Sequence, residues 1–141
     1  MKGFTLFEII IVVSIIVIII AVSLPVSLSF LKQQNVSTAT SNVIATLRQA
    51  HTQSMFQKND SSFGVKFLES SYVLFQGSSY EARTTSEDIV IPNPSNVTIS
   101  GIDEIVFTKR TGLPSTTGTL LVMSGTISRS IYINQQGIIE L

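Results

Sequence analysis

Hydrophobic and polar positions divide the chain into three stretches with three different periods. From Ile9 to Leu31 no charged residue occurs, and aliphatic side chains follow one another around every face of a notional helix. A helix of that length crosses a hydrocarbon core of about 30 Å. Beyond Leu31 the pattern becomes amphipathic: Val36, Ala39, Val43, Ile44, Leu47 and Ala50 recur at spacings of three and four, with Ser, Thr, Asn, Gln and Arg48 between them. That spacing predicts one packed face and one wet face. The polar cluster Lys58-Asn59-Asp60-Ser61-Ser62 predicts the end of the helix between 57 and 62. A continuous helix from Phe4 to about Met55 would be roughly 75 to 80 Å long.

After the polar cluster the period falls to two, which predicts short strands joined by turns. The candidates are 62–68, 72–76, 80–84, 88–91, 96–99, 104–109, 119–123, 129–134 and 137–141, punctuated by Gly77-Ser78-Ser79, Ser124-Gly125 and Gln135-Gln136-Gly137. Pro92 and Pro94 have no place inside a central strand, so they mark an edge or a crossover between sheets. The predicted fold is α+β: a long N-terminal helix, with a transmembrane half and an amphipathic half, packed on a C-terminal antiparallel β-sheet or β-sandwich domain.

Charge changes the picture little. Nine Lys and Arg balance nine Asp and Glu, so no global field draws the chain to nucleic acid or an acidic surface. Cysteine is absent, which excludes disulfides, thiolate catalysis and Cys-based zinc sites. The high aliphatic content resides largely between Ile9 and Leu31; the remainder has an ordinary Ser/Thr-rich composition.

One charge stands out by position. Glu8 abuts the apolar run, where an acid is a functional hypothesis with a partner to be named. A secretory signal peptide, cut loosely at Ala21-Val22-Ser23, is one reading of this end. The run is longer than the roughly 7 to 15 apolar residues of such peptides, and Lys2 is the single basic residue before it. The other reading rests on Gly3-Phe4-Thr5-Leu6-Phe7-Glu8 with Pro25. Here the chain resembles the type IV filament superfamily of type IV pilins, competence pseudopilins and type II secretion pseudopilins. The resemblance implies a leader of residues 1–3, cut by a prepilin peptidase between Gly3 and Phe4, and N-methylation of Phe4. It also makes Glu8 the fifth residue of the mature chain and Pro25 the twenty-second. An α-amine released on Phe4, with a pKa of roughly 7.7 to 8, is mostly cationic at neutral pH. In such filaments the acid pairs with the α-amine of a neighbouring subunit, so Glu8 and Pro25 are expected to serve subunit assembly. Pro25 would leave the Ala21 carbonyl without its helical donor and kink or locally melt the helix.

The implied organisation is a leader at 1–3, a transmembrane and polymerisation helix at 4–31, an amphipathic helix at 32–58 and a β-rich domain at 59–141. Within the superfamily the layout looks most like the minor subunits of FimT/GspH type. Leu47-Arg48-Gln49-Ala50 resembles their helix end, Ile105-Val106-Phe107 followed by Gly112 their strand-then-glycine segment, and 129–137 their closing strand and turn. DNA-capturing members carry arginines after the C-terminal glycine, whereas Gly137 is followed by Ile138, Ile139 and Glu140. Lys109, Arg110 and Arg129 are then the remaining phosphate-binding candidates.

Catalytic chemistry is thinly provided for. His51 is the single histidine and falls on the helix, no Gly-x-Ser-x-Gly elbow singles out a serine, and Glu87-Asp88 and Asp103-Glu104 lack the calcium-loop pattern. Three Asn-x-Ser/Thr sequons, at Asn35, Asn59 and Asn96, are chance matches in so Ser/Thr-rich a chain. The expectation is therefore a non-enzymatic structural subunit of a type II secretion pseudopilus or type IV pilus, with no cofactor and no metal. A major pilin and a DNA-binding competence minor pilin are the alternatives. Its expected partners are the prepilin peptidase, other pilin or pseudopilin subunits, an inner-membrane assembly platform and, before assembly, membrane lipid; nucleic acid is not expected. The expected location is the bacterial inner membrane, single-pass with the N-terminus cytoplasmic, and then an extracytoplasmic filament.

Overall fold

The computed structural model describes residues 3–56 and 58–141, with the side chains of 22–28 outside the description. Among the described residues one α-helix, α1 (Leu6–Met55, 50 residues), precedes eight strands: β1 (Phe63–Phe67), β2 (Ser71–Gln76), β3 (Ile89–Pro92), β4 (Thr98–Ser100), β5 (Glu104–Phe107), β6 (Gly118–Ser124), β7 (Ile127–Ile133) and β8 (Ile139–Glu140). They form two antiparallel sheets, ordered β3-β2-β1-β5 and β4-β6-β7-β8. The molecule is thus α+β. Among the described residues no helix is long and apolar enough to cross a membrane.

The second half of α1 carries the core. Val36, Ala39, Val43, Ile44, Leu47 and Ala50 are all buried, in one cluster with Phe63, Val65, Leu74, Ile105 and Phe107 of the first sheet and Leu120, Val122, Ile131 and Ile133 of the second. The cluster is continuous because the two sheets share the same helix: the apolar stripe reaches β1 and β5 on one side and β6, β7 and β8 on the other. Thr40, Thr46 and Ser54 are buried on this stripe too. Their hydroxyls find partners. Thr40 donates to the Val36 carbonyl at 2.7 Å and Thr46 to that of Asn42 at 2.9 Å, while Ser54 Oγ accepts from the Phe63 N–H at 2.9 Å. Small satisfied hydroxyls let the strands approach without stranding a polar group.

Pro92 ends β3, an edge strand, and the chain then crosses to β4 in the other sheet. Both features are what a proline lacking a ladder donor requires. The segment 80–84, expected to be a strand, is a turn instead. Side chains hold it where backbone pairing was anticipated. Tyr80 closes over Val73, Phe75 and Val106 on the outer face of the first sheet, with its ring edge-on to Phe75 at 5.7 Å. The Arg83 guanidinium lies over the Tyr80 ring at 3.7 Å, donates to the Tyr80 carbonyl at 2.6 Å and pairs with Asp88 at 2.7 Å. That ion pair raises the Arg83 pKa further above its already high ordinary value. The strap explains why β2 is buried on both faces.

Candidate assembly site at the helix N-terminus

The helix begins with a defined cap. Thr5 is extended (φ −81°, ψ 152°), and its hydroxyl accepts the Glu8 N–H at 3.3 Å. Thr5-x-x-Glu8 is a capping-box spacing, which gives Glu8 a local role that a pure assembly reading overlooks. An acid in the first turn is also stabilised by the helix dipole, by about 0.3 to 1 kcal/mol. Gly3 and Phe4 precede the cap outside the helix, and Phe4 is 81 % exposed. Phe4, Glu8, Ile9, Val12 and Val13 line a shallow recess of about 210 Å³. Its walls are wholly apolar, and among the described residues Glu8 has no ion-pair partner. Of the other expected site residues, the Pro25 side chain lies outside the described residues, as do Met1 and Lys2 of the leader.

Around this site the helix surface is apolar and unpacked. Every residue described from Phe4 to Ala21 is exposed. Ser14 returns its hydroxyl to the Ile10 carbonyl at 2.7 Å, so this polar side chain adds no free donor to that surface.

The remaining charged candidates are dispersed or tied into the fold. Lys109 bridges to Asp60 at 3.1 Å, Arg110 sits on the loop after β5, and Arg129 lies on β7 opposite Val122, toward the other end of the domain. Such scatter provides no continuous phosphate track. Two members of the acid pairs are employed in structure: Glu104 accepts the Tyr80 N–H at 2.9 Å and lies 4.0 Å from Lys66, while Asp88 holds Arg83. Among the described residues no group of three or more His, Cys, Asp or Glu could hold a metal ion.

His51 has a packing role that its isolation in the sequence did not disclose. Its ring meets Phe107 edge-on at 5.2 Å. Gly112 and Gly137, at φ +67° and +79°, pass so close that a Cβ on either would come within 2.6 Å and 3.1 Å of the imidazole. The two glycines singled out in separate segments of the sequence therefore meet over one side chain. No family model matches the chain, and no curated protein or solved structure is significantly similar to it.

Proposed function

We propose that the chain is a minor pilin-like structural subunit of FimT/GspH type, belonging to a type II secretion pseudopilus or a type IV pilus. In this reading a prepilin peptidase removes residues 1–3, Phe4 is N-methylated, and residues 4–31 span the inner membrane with the N-terminus cytoplasmic until the subunit leaves the bilayer. The observation that carries the reading is the division of α1. The half after Val36 is clasped by two sheets, whereas the half from Leu6 to Ala21 exposes every side chain. A surface so apolar needs either lipid or other helices around it. Parallel helices of neighbouring subunits supply the second environment, and lipid supplies the first.

Glu8 then acts as a register device. Burying a carboxylate costs several kcal/mol, a cost offset when a cation is placed correctly beside it. The methylated α-amine of a neighbour's Phe4 is such a cation, and the apolar recess beside Glu8 accommodates the phenyl ring that accompanies it.

Two measurements test this. Intact mass and N-terminal sequencing of protein from the native membrane should show loss of Met1 to Gly3 and one added methyl on Phe4. A cut near Ser23 or Ser29 instead overturns the reading in favour of export of a secreted β-rich domain. In addition, Glu8→Gln keeps the capping-box geometry but removes the charge, so it should insert normally and fail to enter filaments. Its efficient incorporation would remove the charge-pairing argument.

A further inference from the structure

The folded domain begins very close to where the apolar run ends. On the proposed reading Ile9 to Leu31 occupies the hydrocarbon core, and α1 rises about 33 Å between those residues, against a core thickness of about 30 Å. Lys32 then stands at the outer boundary. Val36, the first buried residue of α1 among those described, follows about 6 Å further on. Each headgroup layer is about 5 to 8 Å deep, so whatever packs on α1 between Lys32 and Val36 lies inside that layer.

Two loops pack there. The β6–β7 turn comes down to the lysine, since a Cβ on Gly125 would lie 4.0 Å from Lys32 Nζ. The loop leading into β4 reaches the next turn of the helix, where Asn35 Nδ2 donates to Asn96 Oδ1 at 3.2 Å. Across 29–38, 93–98 and 124–128 Lys32 is the single charged residue, and it forms no ion pair with any described residue. Ser95, Asn96 and Thr126 are exposed on the two loops, and Phe30 and Leu31 are exposed on the side toward the bilayer. A lone ammonium at the edge of the apolar run, framed by neutral amides and hydroxyls, is complementary to a lipid phosphate.

The acids of the first sheet are set back from this rim. Tyr72 is hydrogen-bonded to Thr46, about 21 Å along the helix axis from Lys32, and it pairs with Phe67 at the hairpin end whose turn bears Glu69. The Asp103 carbonyl accepts the Phe67 N–H at 2.8 Å. Its neighbour Ile102 lies against Gly118, the end of β6 that is about 20 Å from the Gly125 turn. Glu69 and Asp103 are therefore held about two Debye lengths behind Lys32 at physiological salt.

We infer that the rim formed by Lys32, Asn35, Asn96 and the Gly125–Thr126 turn seats on the headgroups of the outer leaflet and binds the phosphate of an anionic phospholipid through Lys32. The inference rests on membrane residence of residues 4–31. It adds the contact that fixes how the domain sits on the bilayer before assembly.

The chain contains no cysteine, so single labels report position in the full-length protein reconstituted into vesicles of phosphatidylethanolamine and phosphatidylglycerol. A fluorophore on Thr126→Cys should be quenched by a shallow acyl-chain nitroxide, and one on Thr111→Cys, beside the far end of α1, should not. The same nitroxide carried by phosphatidylglycerol should quench the Thr126 label about fivefold more than when carried by phosphatidylcholine. Lys32→Gln should bring that ratio to parity, and Lys32→Arg should preserve it. Quenching at Thr126 no greater than at Thr111, or a lipid preference that survives Lys32→Gln, would each overturn the inference. Flotation with the vesicles reports the underlying reading separately. Protein that floats yet keeps Thr126 in water refutes this contact alone, whereas protein that does not float refutes both.

Discussion

The two halves of α1 are built from similar material and placed in opposite circumstances. Leu6–Ala21 is denser in Ile and Val than 36–55, yet its described side chains lie in the open, while the sparser second half is buried to zero exposure at Val36, Val43, Leu47 and Ala50. Hydrophobicity by itself therefore does not decide what packs within the chain. The second half succeeds because its apolar residues form a stripe, with small Ala, Ser and Thr that let two sheets close upon it. The first half is apolar on every face, and no single domain of about a hundred residues could wrap it. On the proposed reading its complement comes from lipid or from neighbouring helices.

The sharpest break in this comparison is made with matched truncations. Leu47→Ala removes a fully buried side chain from between the sheets and should cost about 2 to 5 kcal/mol of domain stability. Ile16→Ala, at a 49 % exposed position of the other half, should change the domain midpoint by less than about 0.5 kcal/mol. Urea titration of the full chain in detergent micelles, followed by circular dichroism of the β-signal, measures both. Equal effects would mean that the two halves form one cooperative unit.

Glycines sharpen the same contrast at smaller magnitude. Gly112→Ala puts a Cβ at φ +67° and 2.6 Å from His51 Nε2 and 2.8 Å from Met55 Cγ, so a loss of about 1 to 3 kcal/mol is expected from backbone strain and overlap together. A Cβ at Gly3 meets nothing within 4 Å. Gly3→Val should leave the unfolding curve unchanged and instead block removal of the leader, visible as a retained Met1 in the intact mass. On the proposed reading one glycine answers to folding and the other to processing.

The elements legible in the sequence were those whose signal is local. The stripe Val36 to Ala50, the strand alternation and the prolines at the sheet crossover could be read because period and missing donors act within a few residues. The strap at 77–88 could not: Tyr80 to Thr84 has strand-like composition, and what makes it a turn is Arg83 reaching Asp88 and Tyr80. The burial of Ser54 was also hidden, since its partners, the Phe63 N–H and the Arg110 N–H, lie 9 and 56 residues further on. At the candidate site, Glu8 was conspicuous as a lone charge, while the Thr5-x-x-Glu8 cap was present in the letters and overshadowed by the apolar run. The convergence of Gly112 and Gly137 on His51 is likewise encoded by no local pattern.

The smallest effect separates the halves by pH. Tyr72 is 3 % exposed in the core that belongs to the second half of α1, and burial raises its phenol pKa, opposed in part by a hydrogen bond with Thr46. The unfolded chain releases that proton near a pKa of about 10, whereas the folded chain holds it to higher pH. Between those two values the native state binds more protons than the unfolded state, so stability falls as pH rises. Below the unfolded pKa the contribution is fully present; it is lost progressively as pH climbs through the folded value. Unfolding midpoints should therefore be flat with respect to this group up to about pH 9 and decline above it, and Tyr72→Phe should decline less steeply over the same interval. Insertion of the Leu6–Ala21 half into vesicles should show no such dependence on Tyr72, because nothing in that half touches the phenol. Identical alkaline slopes for the wild type and Tyr72→Phe would mean that another group governs the loss, and the buried phenol would no longer mark the clasped half.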